Sequence, residues 1–100
     1  MRALLCIEPG RLAVVERPRP QPGPGETLVR VRRAGVCGTD FHIYEGSHPF
    51  LNYPRVIGHE LSGEVAETGP GCRLEVGQPV YVVPYLSCGT CVACRRGKTN

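Results

Sequence analysis

Four prolines fall within the ten residues RPRPQPGPGE, from Arg17 to Glu26. Proline has no amide proton to give to a helix or a strand ladder, so this run reads as an extended surface connector. The same punctuation continues elsewhere, with ten prolines and thirteen glycines in 100 residues and no stretch that sustains a helical period. A chain so interrupted is confined to short strands joined by turns. That is a mainly β architecture of the small-barrel or sandwich kind.

The apolar runs MRALLCI and LAVVER, joined by EPGR with its Pro9-Gly10 turn signal, predict a β-hairpin. ETLVRVRRAGVC alternates, with Val29 and Val31 on one face and Arg30 and Arg32 on the other. This predicts a strand buried on one side, its arginines on a solvated face. After Cys37 the pattern changes: Thr39 can cap a turn or two of helix over DFHIYEG, which Gly46 would end. SHPFLNYPR reads as a loop. Its Phe50 and Tyr53, with Tyr44 before them, could wall a cleft or simply pack turns. Glycines within VIGHELSGEVAETGPG mark close backbone approach or bulges in a strand, and VGQPVYVVPYLS predicts a closing strand.

Composition excludes several function classes. The net charge of +3 is mild and the arginines are scattered, so no nucleic-acid surface is indicated. No apolar run approaches the roughly 20 residues of a membrane span. MRALLCIEPG turns polar too soon for a signal peptide, so a cytoplasmic location is expected. No G-x-G-x-x-G fingerprint occurs, so these residues offer no such dinucleotide site.

Six cysteines in 100 residues is a high count, and without an export signal metal binding is the better reading than a disulfide framework. Cys88, Cys91 and Cys94, in CGTCVAC, are each separated by two residues, a spacing that can turn successive sulfurs toward one centre. A bacterial iron–sulfur run would need a further cysteine at position 98, where Lys98 stands. A thioredoxin-like pair would leave the third thiol without purpose. A structural zinc lobe over 88–100, with its fourth ligand past Asn100, fits both the spacing and the polar ending CRRGKTN, and suggests a piece of a longer protein. Cys6 and Cys72 stand alone and read as packing residues.

GHELSGEVAETGPGC is similar to the G-H-E-x-x-G-x-x-x-x-x-G signature of the zinc-containing alcohol dehydrogenases, within the medium-chain dehydrogenase/reductase superfamily. CGTDFH resembles the segment carrying that family's first catalytic zinc ligand, and CGTCVACRRGKTN the start of its structural zinc lobe. The resemblance implies that residues 1–100 are the N-terminal part of a GroES-like, partly open β-barrel catalytic domain. The Rossmann domain, the third catalytic ligand and the fourth lobe cysteine would lie beyond it.

Residue by residue, the resemblance implies that Cys37 and His59 are catalytic zinc ligands and that Cys88, Cys91 and Cys94 are lobe ligands. It makes Asp40 the carboxylate behind the ligating imidazole, and Glu60 a glutamate able to approach the metal during ligand exchange. Thr39 and His42 become a proton relay. Structural roles stand beside these: Thr39 or Asp40 as helix-start residues, His42 as a surface side chain, Glu60 as partner to a cation. His48 has no motif position and reads as exposed loop.

The implied activity of the full-length protein is hydride transfer between a secondary alcohol and NAD or NADP, in a homo-oligomer. The form CGTD, with DFHIYEGSHPF and PRVIGHE, resembles the branch acting on polyols and sugar acids. The 100 residues alone are expected to be inactive. Rival readings are a non-catalytic zinc-binding β-barrel module, which would leave Cys37 and His59 idle, and a zinc-free quinone reductase, which would lack both cysteine lobe and ligands.

Overall fold

The computed structural model describes residues 1–98, so the last two positions of the 88–100 lobe lie outside the described residues. Six strands and two short helices follow one another: β1 (Arg2–Glu8), β2 (Arg11–Glu16), β3 (Thr27–Gly35), α1 (Gly38–Glu45), β4 (Arg55–Val56), β5 (Glu60–Thr68), β6 (Pro79–Tyr81) and α2 (Val92–Arg95). They form two three-stranded antiparallel sheets, ordered β2-β1-β4 and β3-β5-β6. The mainly β expectation holds.

The hairpin forms where the sequence places it. Arg2 pairs with Glu16 and Cys6 with Leu12, and Gly10 turns the chain at φ 76°. The proline-rich connector carries the chain from this hairpin to β3 without joining either sheet. The β3–β5 ladder is the longest pairing, running from Thr27 opposite Thr68 to Gly35 opposite Glu60, with two register shifts. At Gly63 the backbones approach so closely that a Cβ would overlap the Arg30 carbonyl, which is why this strand position carries no side chain.

Three sequence expectations are corrected. Val31 is 49 % exposed, because it lies opposite Gly63, which has no side chain to lay over it, and only Val65, on β5, is fully buried in this sheet. The closing strand shrinks to Pro79–Tyr81, since Pro79 and Pro84 bracket it and lack ladder donors. The segment beyond leaves Tyr85 and Leu86 exposed. Thr39 does not cap α1: Cys37 is the N-cap, and the Asp40 carboxylate accepts the Cys37 N–H through Oδ2 at 3.0 Å. An acidic side chain at N3 reaching back in this way satisfies a donor that the helix cannot.

The far end of α1 stops at Gly46, in the left-handed region at φ 82°, as expected. Here the helix is tied down twice. The Gly10 N–H donates to the Tyr44 carbonyl at 2.7 Å, and the Tyr53 hydroxyl donates to the Ile43 carbonyl. Tyr53 is therefore a turn-packing aromatic. Ile43 and Asp40 face the interior, and Cys6 is completely buried in β1, which bears out its packing role.

Candidate metal centre

Cys37 and His59 are 22 residues apart, yet the Cys37 Sγ and His59 Nε2 atoms are 3.3 Å from one another. The register of the β3–β5 ladder accounts for this. Gly35, the last residue of β3, lies opposite Glu60, the first of β5. Cys37 is two residues past one strand end and His59 one residue before the other, so both emerge at the same edge of the sheet. The intervening loop only has to return.

Asp40 stands behind them. Its side chain is 7 % exposed, its Oδ2 is engaged by the Cys37 N–H, and its Oδ1 is buried without a hydrogen-bond partner. His59 Nδ1 lies 3.8 Å from that orphaned oxygen. Buried carboxylate oxygens are costly to leave unpaired, so the arrangement favours a ring whose proton sits on Nδ1, facing Asp40. Nε2 is then the lone-pair nitrogen, and it faces the thiol. A thiolate and a neutral imidazole converging in this way make a donor pair suited to zinc. The residues fit the group.

The other expected residues sit around this pair. Glu60 is exposed, with its carboxylate lying over Gly35, where any Cβ would overlap it. With His59, Tyr81 and Tyr85 it lines a cavity of about 460 Å³. Thr39 lines a second cavity of about 290 Å³, to which His59 also contributes. His42 lies one turn further along α1, exposed, its Nδ1 3.2 Å from Ser47 Oγ. His48, read from sequence as exposed loop, lines the same cavity as Thr39 and is partly buried. No motif could have found it, because loop geometry alone brings it there.

The second cluster is built locally. Cys88 and Cys94 sulfurs are 3.8 Å apart, Cys91 and Cys94 sulfurs 3.5 Å, and the turn α2 between them carries no buried residue. Backbone N–H groups point at the sulfurs: Cys91 N–H to Cys88 Sγ at 3.3 Å and Cys94 N–H to Cys91 Sγ at 3.5 Å. The Cys88 thiol is pulled down to about 6 by the Cys91 and Thr90 backbone N–H groups and the Thr90 hydroxyl, which favours the thiolate that a metal needs. Cys72, by contrast, is half-buried against Thr27, with Sγ 2.9 Å from Oγ1. The Thr27 hydroxyl and the Leu74 and Arg73 N–H groups lower its pKa.

Comparison with known proteins shows the family and the fold. Residues 23–100 match the alcohol dehydrogenase GroES-like domain. The L-galactonate-5-dehydrogenase of Escherichia coli K12 is 44 % identical over 101 residues, covering all of this chain and 30 % of that protein. The structure of an alcohol dehydrogenase, RspB, from Escherichia coli CFT073, complexed with NADH, superposes with a TM-score of 0.91 at 45 % identity, over 99 % of this chain and 29 % of that one. A cobalt- and zinc-bound thermostable alcohol dehydrogenase from Pyrobaculum aerophilum gives a TM-score of 0.85 at 41 % identity, over 99 % and 31 % of the two chains. This chain therefore spans about 30 % of the length of the curated relatives it matches. With the fold, the paired strand ends and the match over most of its residues in agreement, the chain belongs to the alcohol dehydrogenase GroES-like domain family.

Proposed function

We propose that this chain is the N-terminal portion of the catalytic domain of a zinc- and NAD(P)-dependent alcohol dehydrogenase, acting on a secondary alcohol of a polyol or sugar acid. One observation carries the reading. A single imidazole presents Nε2 to a thiol at 3.3 Å and Nδ1 to an orphaned buried carboxylate oxygen at 3.8 Å. A structural histidine has no need of a thiol on one side and an unpaired carboxylate on the other. The alcohol dehydrogenases are themselves a standing example of catalytic zinc held by thiolate and imidazole.

Cys37 and His59 would hold the catalytic zinc, and Cys88, Cys91 and Cys94 the structural one. When bound, zinc supplies a Lewis acid that lowers the pKa of an alcohol, and a nicotinamide nucleotide supplies the hydride acceptor. Asp40 orients the His59 ring and fixes its tautomer. Because Oδ1 faces Nδ1 while Nε2 faces Cys37, the carboxylate stands behind the ring and outside the metal's donor set. The Thr39 hydroxyl, in the cavity that His59 also lines, accepts the substrate's proton and can donate its own in the same step. His42, exposed one turn along α1, passes a proton to solvent near neutral pH. Glu60 lies over Gly35 beside His59, positioned to exchange with a departing ligand. The small-molecule alcohol, a homo-oligomeric state and the bound nucleotide all belong to the full-length protein in this reading.

The test is Cys37→Ser in the full-length protein, measured by bound zinc per subunit and NAD(P)-linked alcohol oxidation. The expected result is loss of about one zinc equivalent and a fall in kcat/KM of more than about 100-fold. Full activity with two zinc equivalents retained would overturn the reading.

A further inference from the structure

The two cavities that His59 lines differ in charge. The one toward β6 is lined by the Glu60 carboxylate, and its arginine, Arg33, donates to the Arg32 carbonyl at 2.9 Å. The one between α1 and β4 is lined by Thr39 and His59 together with His48, Arg55, Leu51 and Ile57. No carboxylate lines this second cavity among the described residues.

Arg55 is held in place by the backbone. It sits on β4, paired with the buried Cys6 of β1. Arg11, Arg19, Arg30 and Arg32 each rest on a glutamate, whereas the exposed Arg55, like Arg2, Arg17, Arg33 and Arg73, has no carboxylate within ion-pair distance among the described residues. His48 is also oriented. The Phe50 N–H donates to its Nδ1 at 3.4 Å, and the two rings meet edge to face. With Nδ1 accepting, the ring's own proton is on Nε2, which becomes a donor available to the cavity.

We propose that Arg55 and His48 form a carboxylate subsite, so that the alcohol oxidised beside Thr39 and His59 is a hydroxy acid rather than a neutral polyol. This rests on the alcohol dehydrogenase reading above and narrows its substrate class. An arginine fork matches a carboxylate bidentately, and an imidazole N–H adds a neutral donor without competing charge. The same acid turned the other way would bring its carboxylate against Glu60, so the charge difference between the cavities also fixes orientation. At about 290 Å³ the cavity lies at the lower end of the range for small-molecule sites, which suits an acid of a few carbons.

The experiment uses the full-length zinc-loaded protein and a panel of C4 to C6 aldonates with the matching alditols, which differ only in a carboxylate for a hydroxymethyl group. The expected result is a kcat/KM preference for aldonates that falls about 10- to 100-fold in Arg55→Gln, mainly through KM, and is partly restored in Arg55→Lys. His48→Gln should reduce the preference less. A variant that merely loosened the fold would lower both substrate classes together, and an unchanged ratio in Arg55→Gln overturns the subsite. Calorimetric titration of the same aldonates separates this proposal from the one it rests on. Arg55-dependent binding without any turnover would keep the subsite and remove the dehydrogenase activity. Alditol turnover with no Arg55-dependent aldonate binding would do the reverse.

Discussion

The two sulfur-bearing clusters are assembled by opposite means. Cys88, Cys91 and Cys94 are neighbours in sequence, gathered by one exposed turn whose own N–H groups face the sulfurs. Cys37 and His59 are strangers in sequence, joined by the register of a nine-residue strand pair and backed by a buried carboxylate. A local cluster needs little but its spacing, which suits a staple. A cluster spanning a ladder inherits the rigidity of the sheet and can hold a reacting group in place.

The comparison is broken or sharpened most strongly by removing one sulfur from the local cluster. Cys91→Ser in the full-length protein is expected to weaken binding of one zinc equivalent on the order of 100-fold or more. Thermal unfolding should shift down by several degrees, while kcat/KM well below that temperature stays within about threefold. Loss of turnover with an unshifted Tm would make the two clusters one functional unit and end the distinction.

A smaller effect is expected behind the imidazole. Asp40→Asn keeps an oxygen that can accept the Cys37 N–H but removes the charge facing His59. Asp40→Ala removes both. The asparagine variant should lose roughly 10- to 100-fold in metal affinity or activity with its helix start intact. The alanine variant should lose about 1 kcal/mol of stability in addition. Equal stability in the two variants, read by denaturant unfolding, would mean that the Oδ2 contact contributes nothing to the cap.

The smallest effect lies far from either cluster. The Arg32 guanidinium, by its hydrogen bond, and Arg30 beside it hold Glu64 below the usual carboxylate range. A depressed folded-state pKa gives stability that is fully present above the unfolded value of about 4.3 and is lost as pH falls through the lower folded value. Glu64→Gln should therefore lower stability slightly at pH 7, where the pair's contribution is fully present, and the difference from the parent should shrink to nothing as pH falls through the folded value, leaving a slightly flatter acid limb. An identical acid limb would show that the ion pair is silent.

Much of this was legible in the residues. The hairpin, the connector, the helix stop at Gly46 and the three-sulfur cluster all follow from local chemistry: turn formers, missing amide protons, a left-handed glycine and thiol spacing. The helix start was misread because a cap is chosen by competition. Thr39 had the right side chain, but Asp40 was spaced to reach the N–H of Cys37 first. The alternation in ETLVRVRRAGVC marked a strand correctly and its burial wrongly, since burial depends on what a second sheet or helix lays over the face.

What the sequence determined by itself, then, is whatever a few neighbouring residues can enforce: where the first hairpin turns, where α1 stops, and that three thiols meet. The tertiary structure alone decided that Gly35 lies opposite Glu60, and therefore that Cys37 meets His59 with Asp40 at its back. It also decided that His48 and Arg55 share a cavity with Thr39. Those meetings depend on register and loop closure across tens of residues, and no local preference encodes a register.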